Sequence, residues 1–417
     1  MKRRDFLKVA GAVSLAGCAT PGSTPSKARV VVIGGGFGGA TAAKYVRLWD
    51  SSIDVVLIER DPDFISCPIS NLVLAGYSSM TDITRDRAGL KRHGVQVVRD
   101  EAVFIDPINR KVLLASGNEI GYERLVVSPG IDFTFSDIQG YGPAMEAGRV
   151  LHAWKAGPQT AALRKQLEAM HDGGVYILSI PLAPYRCPPG PYERASMVAA
   201  YFKQAKPRSK VLVLDANPDV SSKAGLFKRA WSDLYPGILE YRGNARAVGV
   251  DASAMSVKLE VEDVKGDVLN VVPPHRAGDI AQKAGLITSN NRWCDVDWRT
   301  MESKAVKGVH VLGDATLSAP AMPKSASMAN NHAKIAAAAI VDLLNGREPA
   351  PLQIVNTCYS FVSEKEAIRV SSVHRWDAGQ GTLLAVKGSG GVSAARSEAE
   401  GTFAWNWART IWADSLA

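Results

Sequence analysis

The stretch Arg29 to Ala43, RVVVIGGGFGGATAA, constrains the fold of this 417-residue chain more than any other. The apolar run Val30 to Ile33 leads directly into Gly34-x-Gly36-x-x-Gly39, and a helix-like segment, Ala40 to Leu48, follows. Strand, tight turn and helix in that order form the first half of a dinucleotide site. Gly34 permits the turn, Gly36 lets the backbone approach a pyrophosphate with no Cβ in the way, and Gly39 allows helix and strand to pack closely. The phosphates then lie on the helix N-terminus. A second apolar strand, Asp54 to Ile58, ends in Glu59, 20 residues past Gly39, where a ribose-binding acid is expected.

The length implies two or three domains, and 46% hydrophobic with 22% charged residues is a globular composition. Of the net charge of +8, Lys2, Arg3, Arg4 and Lys8 against Asp5 place three in a leader, leaving about +5. With no basic run beside clustered aromatics, the composition excludes a nucleic-acid binder. Arg3-Arg4-Asp5-Phe6-Leu7-Lys8 precedes Val9 to Gly17, an apolar and small-residue segment too short to span a bilayer. It resembles a twin-arginine export signal, which predicts a periplasmic protein exported already folded. Leu15-Ala16-Gly17-Cys18 resembles a lipobox, so two readings stand: a lipoprotein anchored through Cys18, or a soluble protein cleaved near it. Pro21 to Lys27 reads as a linker.

Beyond Glu59, Asp61 to Gly76 carries Cys67 in a loop at the sheet edge where ligands bind. Thr84 to His93 is expected as a helix, Val95 to Val98 as a strand, and the pieces at Ala102, Lys111 and Glu119 as a β-meander. A second βαβ unit follows: strand Val175 to Ile180, helix Tyr192 to Lys203, strand Lys210 to Asp215. Asp215 stands where a second ribose-binding acid belongs, but the turn holds Pro181, Pro184, Pro188, Pro189 and Pro191 in place of the glycines. Prolines offer no N–H to a phosphate, so this domain has the plan of a nicotinamide domain with the site lost. Asp267 to Pro274 and Gly308 to Ala315 are read as the return to the first domain. There Gly313 lets the backbone pass the cofactor and Asp314 is the acceptor for a ribityl hydroxyl, which with the N-terminal glycines favours FAD over NAD. The expected division is residues 1–28 leader and linker, 29–150 and 270–348 the FAD-binding domain, 151–269 the second domain, and 349–417 a C-terminal interface domain with Phe403, Trp405, Trp407 and Trp412.

Cys67, Cys187, Cys294 and Cys358 allow three full pairings, and their spacing excludes a CxxC motif and a zinc cluster. The segments Cys187 to Ser196 (CPPGPYERAS), His152 to Gly157 (HAWKAG), Pro273 to Gly278 (PPHRAG), Met322 to Ser325 (MPKS) and Asn356 to Ser360 (NTCYS) resemble one family along nearly the whole chain: the flavoprotein subunit of flavocytochrome c sulfide dehydrogenase. The resemblance implies an α/β fold of two Rossmann-like doubly wound domains in glutathione-reductase-like arrangement. It further implies FAD joined covalently to Cys67, a redox-active Cys187–Cys358 disulfide beside the flavin, and haem carried by a c-type cytochrome subunit in a heterodimer. At Pro68-Ile69 the sequence departs from the aromatic residue and leucine more frequent in the family.

Disulfide exchange with hydrosulfide, or a related polysulfide, is the chemistry such a pair supports. A structural staple between domains is the other reading of Cys187 and Cys358. Glu193 is the candidate for proton handling near the thiols, with a plain helix first-turn acid as its alternative. Cys294 reads as a buried bystander. The C-terminal tryptophans read as partner interface or as core. The competing functions are a sulfide:quinone oxidoreductase, a non-catalytic FAD electron-relay subunit, and an NADH-dependent disulfide reductase.

Overall fold

In the computed structural model, which describes residues 26–417, the strand Ala28–Ile33 lies in the interior of a seven-stranded sheet. The segment that resembles an export signal, Cys18 and most of the expected linker lie outside the described residues. All but Arg29 of this strand is buried, because parallel neighbours flank it: Ile53–Ile58 on one side and Arg124–Val127 on the other. A strand covered on both faces reads as a continuous apolar run. Val95–Val98 and Val309–Val311 extend the parallel set, and Val296–Asp297 with Glu302–Ser303 close one edge antiparallel. On this sheet the helix Phe37–Trp49 packs against Ala326–Leu344, and both helices carry buried small residues such as Ala40, Ala43, Ala333 and Ala337. The meander forms at Ala102–Asp106, Lys111–Leu114 and Glu119–Gly121.

The second sheet is wholly parallel and places Val150–Leu151, Val268–Val271, Val175–Ile180, Lys210–Asp215 and Leu239–Arg242 side by side. Two expectations need correction. The stretch beginning at Asp267 does not return the chain to the first domain, since Val268–Val271 runs inside the second sheet with all four residues buried. Return comes after it, where His275–Ala277 pairs antiparallel with Ile131–Phe133. Nor is Thr84 to His93 one helix. Thr84–Arg85 pairs with Phe64–Ile65, and only Ala88–Arg92 is helical.

The C-terminal region is an antiparallel sheet, Ile354–Phe361, Ala367–Asp377 and Thr382–Ala385 with Gly391–Val392 on its middle strand, followed by the helix Glu398–Leu416. That helix is capped by Ser397, whose hydroxyl accepts from the Glu400 N–H. It docks on the first domain: Tyr45 donates to Asp414 at 2.6 Å, and the Thr41 and Ser415 hydroxyls meet at 2.9 Å. The aromatic cluster divides. Trp412 is core, its indole donating to Ser66 at 2.9 Å, Trp407 lines the central cavity, and Phe403 is exposed. Among the described residues no helix is long and apolar enough to cross a membrane.

Candidate functional site

A cavity of about 740 Å³ runs from the first glycine turn to the start of the helix Gly190–Ala205. At one end Gly34 has φ +94°, a conformation other residues rarely adopt, and an added Cβ would meet the Ser128 carbonyl oxygen. A Cβ on Gly39 would be driven into the Gly34 carbonyl oxygen, whereas in front of Gly36 there is open space. Glu59 accepts the Gly35 N–H at 2.6 Å and lies 3.5 Å from the Arg87 guanidinium, both side chains nearly buried. Arg87 in turn donates to the Gly35 and Asp61 carbonyls at 3.1 and 2.9 Å. The turn and the expected ribose-binding acid are therefore held together by a residue that no sequence motif marks.

At mid-cavity Cys67 is half-buried in the loop before the helix Ser70–Ala75, its thiol 3.9 Å from the Trp154 carbonyl. Ile69 just beyond it takes φ +75°, a strained position for a β-branched residue. Gly313, at φ +72°, brings Asp314 to the wall. One carboxylate oxygen of Asp314 is buried without a partner. Burial raises its pKa, and the Arg186 and Lys324 charges oppose the rise. Buried polar atoms are rarely left unpaired, so an orphaned acceptor, the open face at Gly36 and Glu59 together fit a dinucleotide carrying ribityl hydroxyls, which is FAD. Asp314→Ala is expected to weaken flavin binding about tenfold to a hundredfold, the value of a hydrogen bond to a charged group, as read by flavin titration into apoprotein.

The other end carries sulfur. Cys187, at φ +58°, donates its N–H to the Lys324 carbonyl at 2.8 Å, and an added Cβ on Gly190 would lie 2.9 Å from the Cys187 Sγ. Cys358, on the strand Ile354–Phe361, sits 3.5 Å from the Asn356 side-chain oxygen. Both line the cavity, from positions 171 apart in sequence, and the structure holds all four described cysteines as free thiols. Burial pushes both thiols up; for Cys187 the neighbouring Cys358 and Glu193 add to the rise. Glu193, in the first turn of its helix, accepts from the Asn71 amide and the Phe361 N–H, each at 2.8 Å, and burial raises its pKa. Cys294 is off the cavity wall, its thiol raised to about 12 by burial.

Three further buried cations frame the site. Arg194 donates to Asn71, Asn270 and the carbonyls of His152 and Ala153 at 2.7–3.0 Å, joining the helix Gly190–Ala205 to the helix Ser70–Ala75 and to the second sheet. Lys324 donates to the Asp314 carbonyl at 3.1 Å and lies 3.7 Å from the Trp293 ring centre, and burial pulls its ammonium down to about 7. Lys223 lies behind Cys358. Arg194 and Lys324 fall inside the segments that carry the resemblance, but nothing there gives them a role, and Arg87 and Lys223 have no sequence signal at all. In the second domain Asp215 is already occupied: Tyr192 and Tyr241 donate to one oxygen at 2.8 and 3.0 Å, and Asn217 takes the other through its N–H and amide at 2.9 and 2.7 Å.

Three family profiles match the chain: pyridine nucleotide-disulphide oxidoreductase over residues 28–166, the central domain of the sulfide dehydrogenase [flavocytochrome c] flavoprotein chain over 160–273, and flavocytochrome c sulphide dehydrogenase, flavin-binding, over 350–416. Among curated proteins, the flavocytochrome c sulfide dehydrogenase flavoprotein chain of Chlorobaculum thiosulfatiphilum is 60% identical over 45 residues, 11% of this chain and 94% of that sequence. Mitochondrial sulfide:quinone oxidoreductase of Mus musculus is 25% identical over 308 residues, 69% of this chain, and the chain spans 65% of that relative's length. The solved sulfide:quinone oxidoreductase of Aquifex aeolicus superimposes with a TM-score of 0.77 at 18% identity, covering 93% of this chain and 91% of the other, which is a likeness of fold.

Proposed function

Because the chain belongs to the family of flavocytochrome c sulfide dehydrogenase flavoprotein chains, we propose that it oxidises sulfide at a Cys187–Cys358 disulfide next to FAD and passes the electrons to a c-type cytochrome subunit. The observation that carries this reading is that two cysteines from distant parts of the chain both line the cavity that begins at the FAD-type glycine turn. Hydrosulfide adds to one sulfur of the pair, the S–S bond breaks, and the other cysteine leaves as thiolate, so one negative charge enters and one remains. Glu193, with its pKa raised by burial on the same wall, is the group assigned to hold the proton released as the bound sulfur is oxidised further. Arg194 keeps the loop of Cys67 and the helix behind Cys187 in fixed relation. FAD, when bound, supplies a two-electron acceptor able to release its electrons singly, and Cys67 is the side chain we assign to a covalent link with it.

The occupied Asp215 supports a donor other than nicotinamide, since no acceptor there is free for a ribose. The export signal supports a periplasmic site of action, with Cys18 either lipidated or removed. The likeness to the mouse protein favours a second reading, quinone as acceptor. Anaerobic addition of one equivalent of sulfide to the flavin-loaded protein is expected to bleach the flavin, and NADH is expected to leave it oxidised. Reoxidation by cytochrome c but not by a short-chain quinone would separate the two acceptors. A flavin that stays oxidised with sulfide would leave only an electron-relay role, and one bleached by NADH would overturn the reading of Asp215.

A further inference from the structure

Lys223 is a buried ammonium with no carboxylate at ion-pair distance among the described residues. It takes φ +57° at the start of the helix Ala224–Leu234, which turns its side chain toward the strand of Cys358. Its Nζ donates to the Ser360 hydroxyl at 2.8 Å, to the carbonyl of Cys358 itself at 3.3 Å and to that of Ile368 at 3.4 Å. Three neutral oxygens solvate the ammonium but do not neutralise it, and a buried charge without a counter-charge is costly. The ionisable groups that face it are Cys358, Glu193, Cys187 and Glu400. Of these, Cys358 has Lys223 as the strongest cation acting on it, while Cys187 faces Arg186 as well as Lys223, and Glu193 faces Arg194 and Lys223.

Resting on the reading that Cys187 and Cys358 are the working pair, we propose that Lys223 is a positioning residue that holds negative charge on the Cys358 sulfur when the pair is opened. The incoming sulfur bonds to Cys187, the Cys187–Cys358 bond breaks, and its electron pair stays on Cys358 beside the ammonium. No proton moves in that step. Burial pulls Lys223 down to about 8. The stabilisation is therefore fully present below that pH and is lost as pH rises through it, except where the thiolate itself pulls the lysine back up.

The test uses the flavin-loaded protein with the pair reduced, and follows iodoacetamide labelling of each cysteine by mass spectrometry as a function of pH. Cys358 is expected to label at lower pH than Cys187 in the unchanged protein. Lys223→Gln, which keeps a hydrogen-bond donor but no charge, is expected to slow Cys358 labelling at neutral pH by about tenfold, the effect of removing one close opposite charge. It should also shift the pair's midpoint potential in dithiothreitol buffers to more negative values. Lys223→Arg should restore both readouts. The proposal falls if Lys223→Gln, with normal flavin content, leaves the labelling profile and potential unchanged, or if Lys223→Arg behaves like Lys223→Gln. Should the glutamine variant fail to fold, the unchanged protein still decides the matter, since Cys187 labelling first would overturn the proposal. Sulfide plays no part in these readouts. A protein that sulfide does not reduce, but whose Cys358 profile depends on Lys223, would sink the substrate reading and leave this one standing.

Discussion

Cys187→Ser and Cys358→Ser are each expected to slow sulfide-dependent flavin bleaching by a factor on the order of a thousand or more, and the double variant to be no slower than either. Groups that act as one unit show this non-additivity, because after the first loss the remaining sulfur has no disulfide to offer. The wall geometry makes the expectation specific. Both thiols face the cavity, and Cys294 does not, so Cys294→Ser serves as the control that should retain full rate. A purely structural staple between domains makes the opposite forecast for the chemistry: the serine variants would bleach normally with sulfide. Anaerobic stopped-flow absorbance distinguishes the two outcomes.

Gly39→Ala is expected to yield protein that binds no flavin and is destabilised by about 3 kcal/mol or more, whereas Gly36→Ala is expected to lose flavin at nearly unchanged apoprotein stability. The contrast follows from what surrounds each glycine. A methyl on Gly39 would collide with the Gly34 carbonyl and drive the helix Phe37–Trp49 away from the strand Ala28–Ile33, breaking the packing on which the sheet depends. Gly36 has an ordinary φ of −76° and nothing within 4 Å of an added Cβ. Its methyl would intrude only on a bound pyrophosphate. Thermal unfolding of apoprotein, compared with flavin content after reconstitution, reads the two effects separately; equal stability losses in both variants would count against this division of labour.

The parts of the molecule visible in the sequence are those set by local backbone demands. The strands Val175–Ile180 and Lys210–Asp215 occupy the residues their apolar runs and turn signals mark. The glycine turn is legible because three residues at fixed spacing each answer one steric requirement. What stayed hidden depends on partners far along the chain. Val268–Val271 reads as a buried strand, yet the segment itself does not say which sheet buries it; the register with Tyr176–Ser179 does. Thr84 and Arg85 leave a plausible helix to pair with Phe64–Ile65. Arg87 reaches Gly35 across 52 positions and Lys223 reaches Cys358 across 135, so neither shows a pattern in its own neighbourhood. The prolines between Pro181 and Pro191 foretell a lost phosphate cradle, but not that Tyr192 and Tyr241 fill the place by claiming Asp215.

With one thiol in the helix-start loop of the second domain and the other in the C-terminal sheet, closing the proposed pair would tie the oxidation state of the molecule to its cohesion. A bond between sulfurs 171 positions apart would remove loop entropy from the unfolded chain worth about 5 kcal/mol on the loop-closure model. The coupling is reciprocal: whatever the closed pair adds to the persistence of the fold, the fold adds to the persistence of the closed pair. On the proposed mechanism the protein with the pair closed would resist heat better than the same protein with the pair open, so its melting temperature would report the oxidation state of the two sulfurs.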